Sequence, residues 1–515
     1  MSLVKTVATV GGWTLVYRLS SFMRDILQAK CLGAGMFADV FSSAFKFANI
    51  LRKIFAEGAF NASFLPIFSN TLKDKGEDEA RKLASQVFTW LVLLVSFLMT
   101  LCLIFFREIM SVYGSGFIPG SEKSEHLIVI GRICSSYIGA SFLVALFGGI
   151  LNTFNRFAMP AAVQIVLNLS VIVALLIGEL WFPSVAYTMA WATFFAGFIQ
   201  LAILWINVSG CGIKVWFDFS PVLDGVKTFF KKLVSGAIGA GVWQLNVIFD
   251  FAVLTLLPTG STSYFYYTDH INQFPIGILG IAFSTALLPP LTKAIHAKNK
   301  DAAQKQMNLG LLFAFIFTLP AAVILTLLSE PITGAIYGHG KFTAEHVTAA
   351  APALMAFAFG LPSYMMTKVF STTFFAHKDT RTPLIGGIIS IISNLLFIFL
   401  LVPYFKHVGV ALATSLSAWC NGLYLIFKLG SLGTVKIERS VLWECAKQLI
   451  ASFIMFSAIC ILNIFVNDYY YVQDKLDRNI AVISAVGFSI LVFYIAGKTL
   501  GIFKFLEDIK TLKED

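Results

Sequence analysis

Charge is what this chain of 515 residues has least of: 13% of its residues are Asp, Glu, Lys or Arg, against 57% apolar. A soluble globular domain carries about twice that charge, so that class is excluded. The seven cysteines are odd in number and show no paired spacing, which excludes a zinc site or a disulfide framework. They read as small buried apolar residues. No Walker loop, His-Glu-x-x-His pair, Gly-x-Ser-x-Gly elbow or aspartate-rich magnesium pair occurs. Those absences remove nucleotide hydrolysis, metalloprotease chemistry, serine acyl transfer and magnesium-dependent diphosphate chemistry. A transporter built on this chain would draw on an ion gradient, the membrane potential or the substrate gradient, and it needs no cofactor beyond a coupling sodium ion or proton. The N-terminus shows no short apolar core followed by a small-residue cleavage site, so the first apolar segment is expected to stay in the mature protein.

What the chain does have is length in apolar segments, rich in its 51 phenylalanines. Stretches able to span a bilayer (about 20 residues each) recur fourteen times, from 6–28 and 37–66 to 446–466 and 479–500. The connections are too short for a separate soluble domain. The fold class is therefore an all-α polytopic membrane protein of about fourteen transmembrane helices. The net charge of +10 could suggest nucleic acid, but its distribution argues for topology instead. Lysines and arginines crowd the turns that share a side with the N-terminus, such as Lys73, Lys75, Arg81 and Lys82, or Lys227, Lys231 and Lys232. By the positive-inside rule both termini are expected in the cytoplasm.

An internal repeat emerges at an offset of 223 residues. It carries Ala59-Phe60-Asn61-Ala62-Ser63-Phe64-Leu65-Pro66 onto Ala282-Phe283-Ser284-Thr285-Ala286-Leu287-Leu288-Pro289, and Pro160 onto Pro383. Both of the latter prolines follow a basic turn, a placement that suits a first helical turn. Six helices per repeat is an even number, so two six-helix lobes would be related by a pseudo-twofold along the membrane normal. The expected division is an N-terminal lobe over 1–208, a C-terminal lobe over 209–430, and an appended helix pair with a cytoplasmic tail over 431–515.

Three arginines stand inside the first two apolar segments: Arg18, Arg24 and Arg52. A lone arginine at bilayer depth costs from about 2.5 to well over 10 kcal/mol, so these need a polar interior. Arg18 is roughly 18 Å along the first segment from Thr6. Arg24 is deeper, with Asp25 beside it. Lys46, Asn49, Lys53 and Glu57 follow 3-4-4 spacing on one face of the second segment, and Arg52 is about 60° round from Asn49. A planar guanidinium grips a phosphate through two parallel hydrogen bonds, which suits several arginines to a diphosphate. The alternative is internal pairing, of Lys53 with Glu57 and of Arg24 with a carboxylate such as Asp39. Farther along stand Asp250 beside Gln244 and Asn246, then Asp269, His270 and Gln273, and Lys368. Asp250 could hold sodium or a proton, or bond a neighbouring helix. Glycines such as Gly236, Gly239, Gly241, Gly277 and Gly280 are expected to permit close helix packing.

Specific stretches resemble a known family. Arg18-Leu19-Ser20-Ser21-Phe22-Met23-Arg24-Asp25-Ile26-Leu27, then Gly33-Ala34-Gly35, Ala38-Asp39-Val40-Phe41 and Phe47-Ala48-Asn49-Ile50-Leu51-Arg52-Lys53-Ile54-Phe55-Ala56-Glu57-Gly58-Ala59-Phe60, are similar to the MurJ (MviN) family of lipid II flippases. So are Phe274-Pro275-Ile276-Gly277-Ile278-Leu279-Gly280 and Asp379-Thr380-Arg381-Thr382-Pro383. The resemblance implies the multidrug/oligosaccharidyl-lipid/polysaccharide exporter fold, with two lobes around a central cavity in the bacterial cytoplasmic (inner) membrane. It implies that lipid II, an undecaprenyl-diphosphate-linked disaccharide-pentapeptide, is carried to the outer leaflet for peptidoglycan synthesis, beside cell-wall synthesis enzymes as candidate partners. It marks Arg18, Arg24 and Arg52 as essential cavity arginines, Asp39 as a further important position, and Ser263 and Lys368 as polar positions. It assigns a lipid-tail groove to the last two helices and a sodium site to the second lobe, where Asp250 is the candidate. His270 departs from the family, which often has a fourth arginine after Asp269, and Gln273 stands where glutamate is common. A flippase for another undecaprenyl-diphosphate-linked saccharide, a drug antiporter, a membrane-embedded glycosyl- or phosphotransferase and a non-transporting scaffold are the competing readings.

Overall fold

In a bilayer every backbone N–H and C=O must find its partner within the protein, and a helix satisfies them within one segment. The computed structural model of the chain describes residues 3–178, 184–286, 288–432, 436–470 and 475–503, and its regular elements are all helical. Among the described residues nine helices are long and apolar enough to cross a membrane. A tenth span is added if Asp224–Val242 and Gln244–Thr255, bent by 51°, count as one.

Packing divides the chain into two units, Met1–Ser263 and Tyr264–Asp515. Unit 1 contains α1 (Leu3–Leu32), α2 (Met36–Arg52), a π-helical stretch (Lys53–Ala59), α3 (Phe60–Ile104), α4 (Phe106–Tyr113), α5 (Glu122–Thr153), α6 (Ala158–Ala162), α7 (Gln164–Ile177), α8 (Val185–Ser209) and α9 (Asp224–Thr255). It ends in the first turn of α10 (Ser261–Ala286). Unit 2 continues with α11 (Leu288–His296), α12 (Lys300–Leu327), α13 (Ser329–Tyr337), α14 (Ala344–Ala358), α15 (Leu361–Ala376), α16 (Arg381–Leu429), α17 (Arg439–Tyr470) and α18 (Lys475–Leu500). If straight, the 49 residues of α16 would extend about 74 Å, more than twice a bilayer core of about 30 Å. The run is broken at Lys406, and α3 is broken at Gly76, whose φ of 85° suits a residue without Cβ.

The packing boundary differs from the repeat-based one, which opened the second lobe at residue 209. The reason is α9, which lies against the π-helical stretch and α3. Phe229 meets Phe60 edge to face at 5.2 Å and Phe64 at 5.9 Å. Gly236 lets the backbones approach, since a Cβ there would lie 3.1 Å from that of Ala59. Gly239 and Gly241 do not share this role: nothing lies within 4 Å of a Cβ at either. The cysteines are all free, as expected, but only Cys134 is fully buried and the other six are partly exposed.

Pro160 is the third residue of α6 and Pro383 the third of α16, so both stand in a first turn. Asp379 caps α16: its carboxylate accepts from the amides of Arg381 (2.9 Å) and Thr382 (3.0 Å) and from Thr382 Oγ1 (2.6 Å). Burial alone would raise this carboxyl, but the bonds from Thr382 and Arg381 outweigh it and hold it below the usual range.

The start of α18 is fastened to the turn after α13. Arg478 Nη2 donates to the Gly338 carbonyl at 3.2 Å and lies 3.3 Å from His339 Nδ1, which accepts only while the ring is neutral. Burial first, then the charges of Arg478 and Lys475, holds His339 below the usual imidazole range. Above pH 6.5 the ring is neutral whether packed or not. Below it the unfolded chain takes the proton first, so the stability gained here is lost as pH falls through the lowered value. The melting temperature of the purified protein should therefore decline from about pH 7.5 to about pH 5, and His339→Gln should flatten that slope.

Candidate functional site

The arginines singled out from the sequence all lie in unit 1, and each has a different setting. Arg18, on α1, is half-buried, and its buried Nε has no hydrogen-bond partner among the described residues. Arg24 is the most confined, with 3% exposure beside a fully buried Asp25. Its Nε and Nη2 both donate to Asp25 Oδ1, at 3.0 and 2.7 Å, and its Nη1 donates to Asn168 Oδ1 at 3.0 Å. Nη2 also reaches Ser21 Oγ at 3.3 Å, and the guanidinium carbon lies 4.9 Å from the centre of the Phe45 ring. The internal pairing is thus with Asp25, the adjacent residue, and not with Asp39.

Asn168 was not singled out from the sequence. It stands on α7, fully buried, and its amide nitrogen donates to Ser20 Oγ (2.9 Å) and the Tyr17 carbonyl (3.2 Å) while its oxygen receives Arg24. One side chain thereby orients both the guanidinium and a turn of α1. A lone amide in the apolar run 165–177 was the available signal, but its partner is 144 residues away. Asn168→Ala should cost about 1.5–3 kcal/mol for the lost bond to a charged group. A fall in the melting temperature of the purified protein would check it.

Arg52 closes α2 and is 6% exposed. Its Nε donates to Asn49 Oδ1 at 3.2 Å, and Asn49 Nδ2 donates to the Phe45 carbonyl at 3.0 Å. The guanidinium lines a small cleft within unit 1 that also meets Asn61, Tyr137, Ser141, Asn152 and Gln164. The π-helical stretch begins at Lys53 and changes the phase of the residues that follow it. Lys46 Nζ lies 5.2 Å from the Phe251 ring centre, and Lys53 is exposed. The side chain of Glu57, and with it the expected Lys53–Glu57 pair, lies outside the described residues.

Asp39 has another role. It is 1% exposed and accepts four bonds: from Lys123 Nζ (2.8 Å), the Gly260 amide (2.8 Å), the Ser263 amide (3.0 Å) and Ser263 Oγ (2.6 Å). A carboxylate at the first turn of a helix satisfies orphan amides and complements the positive end of the macrodipole. Asp39 and Ser263 are thus brought together although 224 residues apart. Lys123, in the first turn of α5, completes the group.

The remaining candidates are more dispersed. Asp250, on α9, is buried. Among the described residues no three His, Cys, Asp or Glu gather in a way that could hold a metal ion. In unit 2, Asp269 accepts from Gln273 Nε2 at 2.7 Å, and the His270 ring lies 4.4 Å from that of Tyr266. Lys368 reaches across from α15 to α10, where Gly280 leaves room: a Cβ there would lie 2.5 Å from Lys368 Nζ.

The sequence model of the lipid II flippase MurJ family matches residues 28–479. A relative described as a probable lipid II flippase, from Rhizobium meliloti (strain 1021), is 33% identical over 89% of this chain and 86% of its own. Another, from Buchnera aphidicola subsp. Schizaphis graminum, is 30% identical over 98% of both. Among solved structures, the lipid II flippase MurJ in an inward closed conformation matches with a TM-score of 0.80 at 26% identity, over 96% of this chain and 99% of that one. An inward-facing multidrug resistance MATE family transporter of the MOP superfamily matches with a TM-score of 0.68 over 81% of this chain and 95% of that one. At 14% identity that likeness concerns the fold alone. Matched in sequence along nearly its whole length and in its helical architecture, the chain belongs to the lipid II flippase MurJ family.

Proposed function

We propose that this chain is a transporter and not an enzyme: it carries lipid II from the cytoplasmic to the outer leaflet of a bacterial inner membrane by alternating access, with both termini in the cytoplasm. The observation that carries the reading is the pair of buried arginines, Arg24 bonded to Asp25 and Asn168 and Arg52 bonded to Asn49, in a unit of a family whose members are named for lipid II. A diphosphate offers acceptors in the geometry that a guanidinium fork matches. Asp25 occupies Arg24 in this structure, so an arriving diphosphate competes with that carboxylate. Arg18 contributes from one to two turns earlier on the same helix. Sodium or a proton is the coupling ion, with Asp250 as the candidate ligand, and cell-wall synthesis enzymes are the partners that receive the product.

The test is made in bacteria depleted of their own flippase and expressing this chain. Lipid II reaching the outer leaflet is read by an externally added lipid II-cleaving enzyme. Cleavage is expected for the wild-type chain, with at least about a tenfold loss for Arg52→Ala at matched abundance, the scale of one charged hydrogen-bonding contact. No cleavage from a properly inserted wild-type chain would overturn lipid II as the substrate and favour another undecaprenyl-diphosphate-linked saccharide. Wild-type delivery by Arg52→Ala would remove the arginine grip.

A further inference from the structure

α14 and α15 form one apolar span, Ala344–Ala376, interrupted at Phe359 and Gly360 about half-way along. Pro362 follows in the first turn of α15 and has no N–H, so the Ala358 carbonyl loses its i+4 donor. The Gly360 amide turns to the Phe357 carbonyl at 2.9 Å, three residues back, and so leaves the Ala356 carbonyl. Inside a bilayer, carbonyls released in this way need donors from elsewhere in the protein.

One helix supplies them. The second part of α16, beyond its break at Lys406, presents two side chains about one turn apart. Ser415 Oγ donates to the Ala356 carbonyl at 2.8 Å and lies 3.4 Å from that of Phe357. Trp419 Nε1 donates to the Phe359 carbonyl at 3.0 Å. Gly360 permits the approach, since a Cβ there would lie 2.7 Å from Ser415 Oγ. About two turns earlier, His407 Nε2 donates to the Ala349 carbonyl at 2.9 Å, which ties α14 to the same helix. Past the break the contact changes character. Ser363 Oγ and Thr367 Oγ1 face Gly422, 3.2 and 3.3 Å from where its Cβ would lie, and neither has a hydrogen-bond partner among the described residues.

We propose that this break is a hinge, that Ser415 and Trp419 are the positioning residues that hold it, and that α15 swings about it with Lys368. Lys368 is eight residues past Gly360, about 12 Å along the helix. A change of about 20° in the bend carries it by about 4 Å. That is enough to take its ammonium off Gly280 of α10, against which it packs. The hinge lies within unit 2 and stands whether or not lipid II is the substrate.

The test uses the purified full-length protein, with amide hydrogen exchange and acylation of lysines by a water-soluble succinimidyl ester as the two readouts. In Ser415→Ala the amides of 356–366 should exchange about fivefold faster, the effect of one lost hydrogen bond, while those of 345–352 keep their rate. Lys368 should be acylated about threefold faster or more, with the exposed Lys305 as an unchanged reference. Trp419→Phe keeps the ring and loses the donor, so it carries the test if Ser415→Ala fails to fold, and the same local pattern is expected. Pro362→Ala restores the N–H owed to Ala358. It should slow both rates below wild type and, combined with Ser415→Ala, bring them back toward it. Exchange that rises evenly over the whole of unit 2 overturns the hinge and leaves the bonds as supports of the fold. So does a Lys368 rate that Ser415→Ala, Trp419→Phe and Pro362→Ala all leave unmoved.

Discussion

An Asp39→Ala protein is expected to lose about 3–5 kcal/mol of stability, the scale observed when one partner of a buried charged pair is removed. The carboxylate is buried and receives Lys123 together with the amides of Gly260 and Ser263 and the Ser263 hydroxyl. Truncation leaves an ammonium without its counter-charge and three donors without acceptors, in a place where few waters can replace them. Asp39→Asn should fall between, because the amide keeps one acceptor oxygen and loses the charge. Adding Lys123→Met to Asp39→Asn should recover part of the loss, since it removes the uncompensated cation. The measurement is the temperature at which half of the detergent-purified protein stays monodisperse. An unchanged value in Asp39→Ala would show that the group adds nothing net to stability.

The second large effect separates structure from transport at Arg24 and Asp25. Arg24→Ala removes the cation paired with a fully buried carboxylate, and Asp25→Ala removes the carboxylate paired with a guanidinium of 3% exposure, so each single variant should lose about 3–5 kcal/mol and much of its abundance. The double variant removes both charges and should recover abundance toward wild type, with a coupling energy that exposes the pair. Lipid II delivery should nonetheless stay at background in the double variant, because the cation meant for the diphosphate is gone. If delivery returns with abundance, Arg24 serves the fold alone and the grip lies with Arg18 and Arg52.

Membrane helices and their arginines were legible because the bilayer enforces them locally. A run of apolar residues must be helical to satisfy its own backbone, wherever the rest of the chain goes. Pro160 and Pro383 were equally local signals, since a missing N–H is tolerated in a first turn. The stretches around Arg18–Leu27 and Phe47–Phe60 are specific enough to point to the family on their own. The phase of the second segment was not legible: whether Lys53 continues an α-helix or opens a π turn depends on α9 and α5 packed beside it. Gly236 and Gly239 look alike in sequence, yet only the first has a backbone against it.

The sequence by itself therefore determined the class and the family, because burial in lipid and short motifs act over a turn or two of helix. Only the tertiary structure decided their partners. Asn168 is 144 residues from Arg24 and Ser263 is 224 from Asp39, and no periodicity links such positions. The choice of Asp25 over Asp39 for Arg24 was also tertiary, although Asp25 is the adjacent residue. Lys123 and the first turn of α10 take up the carboxylate of Asp39, and the desolvation of an unpaired charge makes each pairing exclusive.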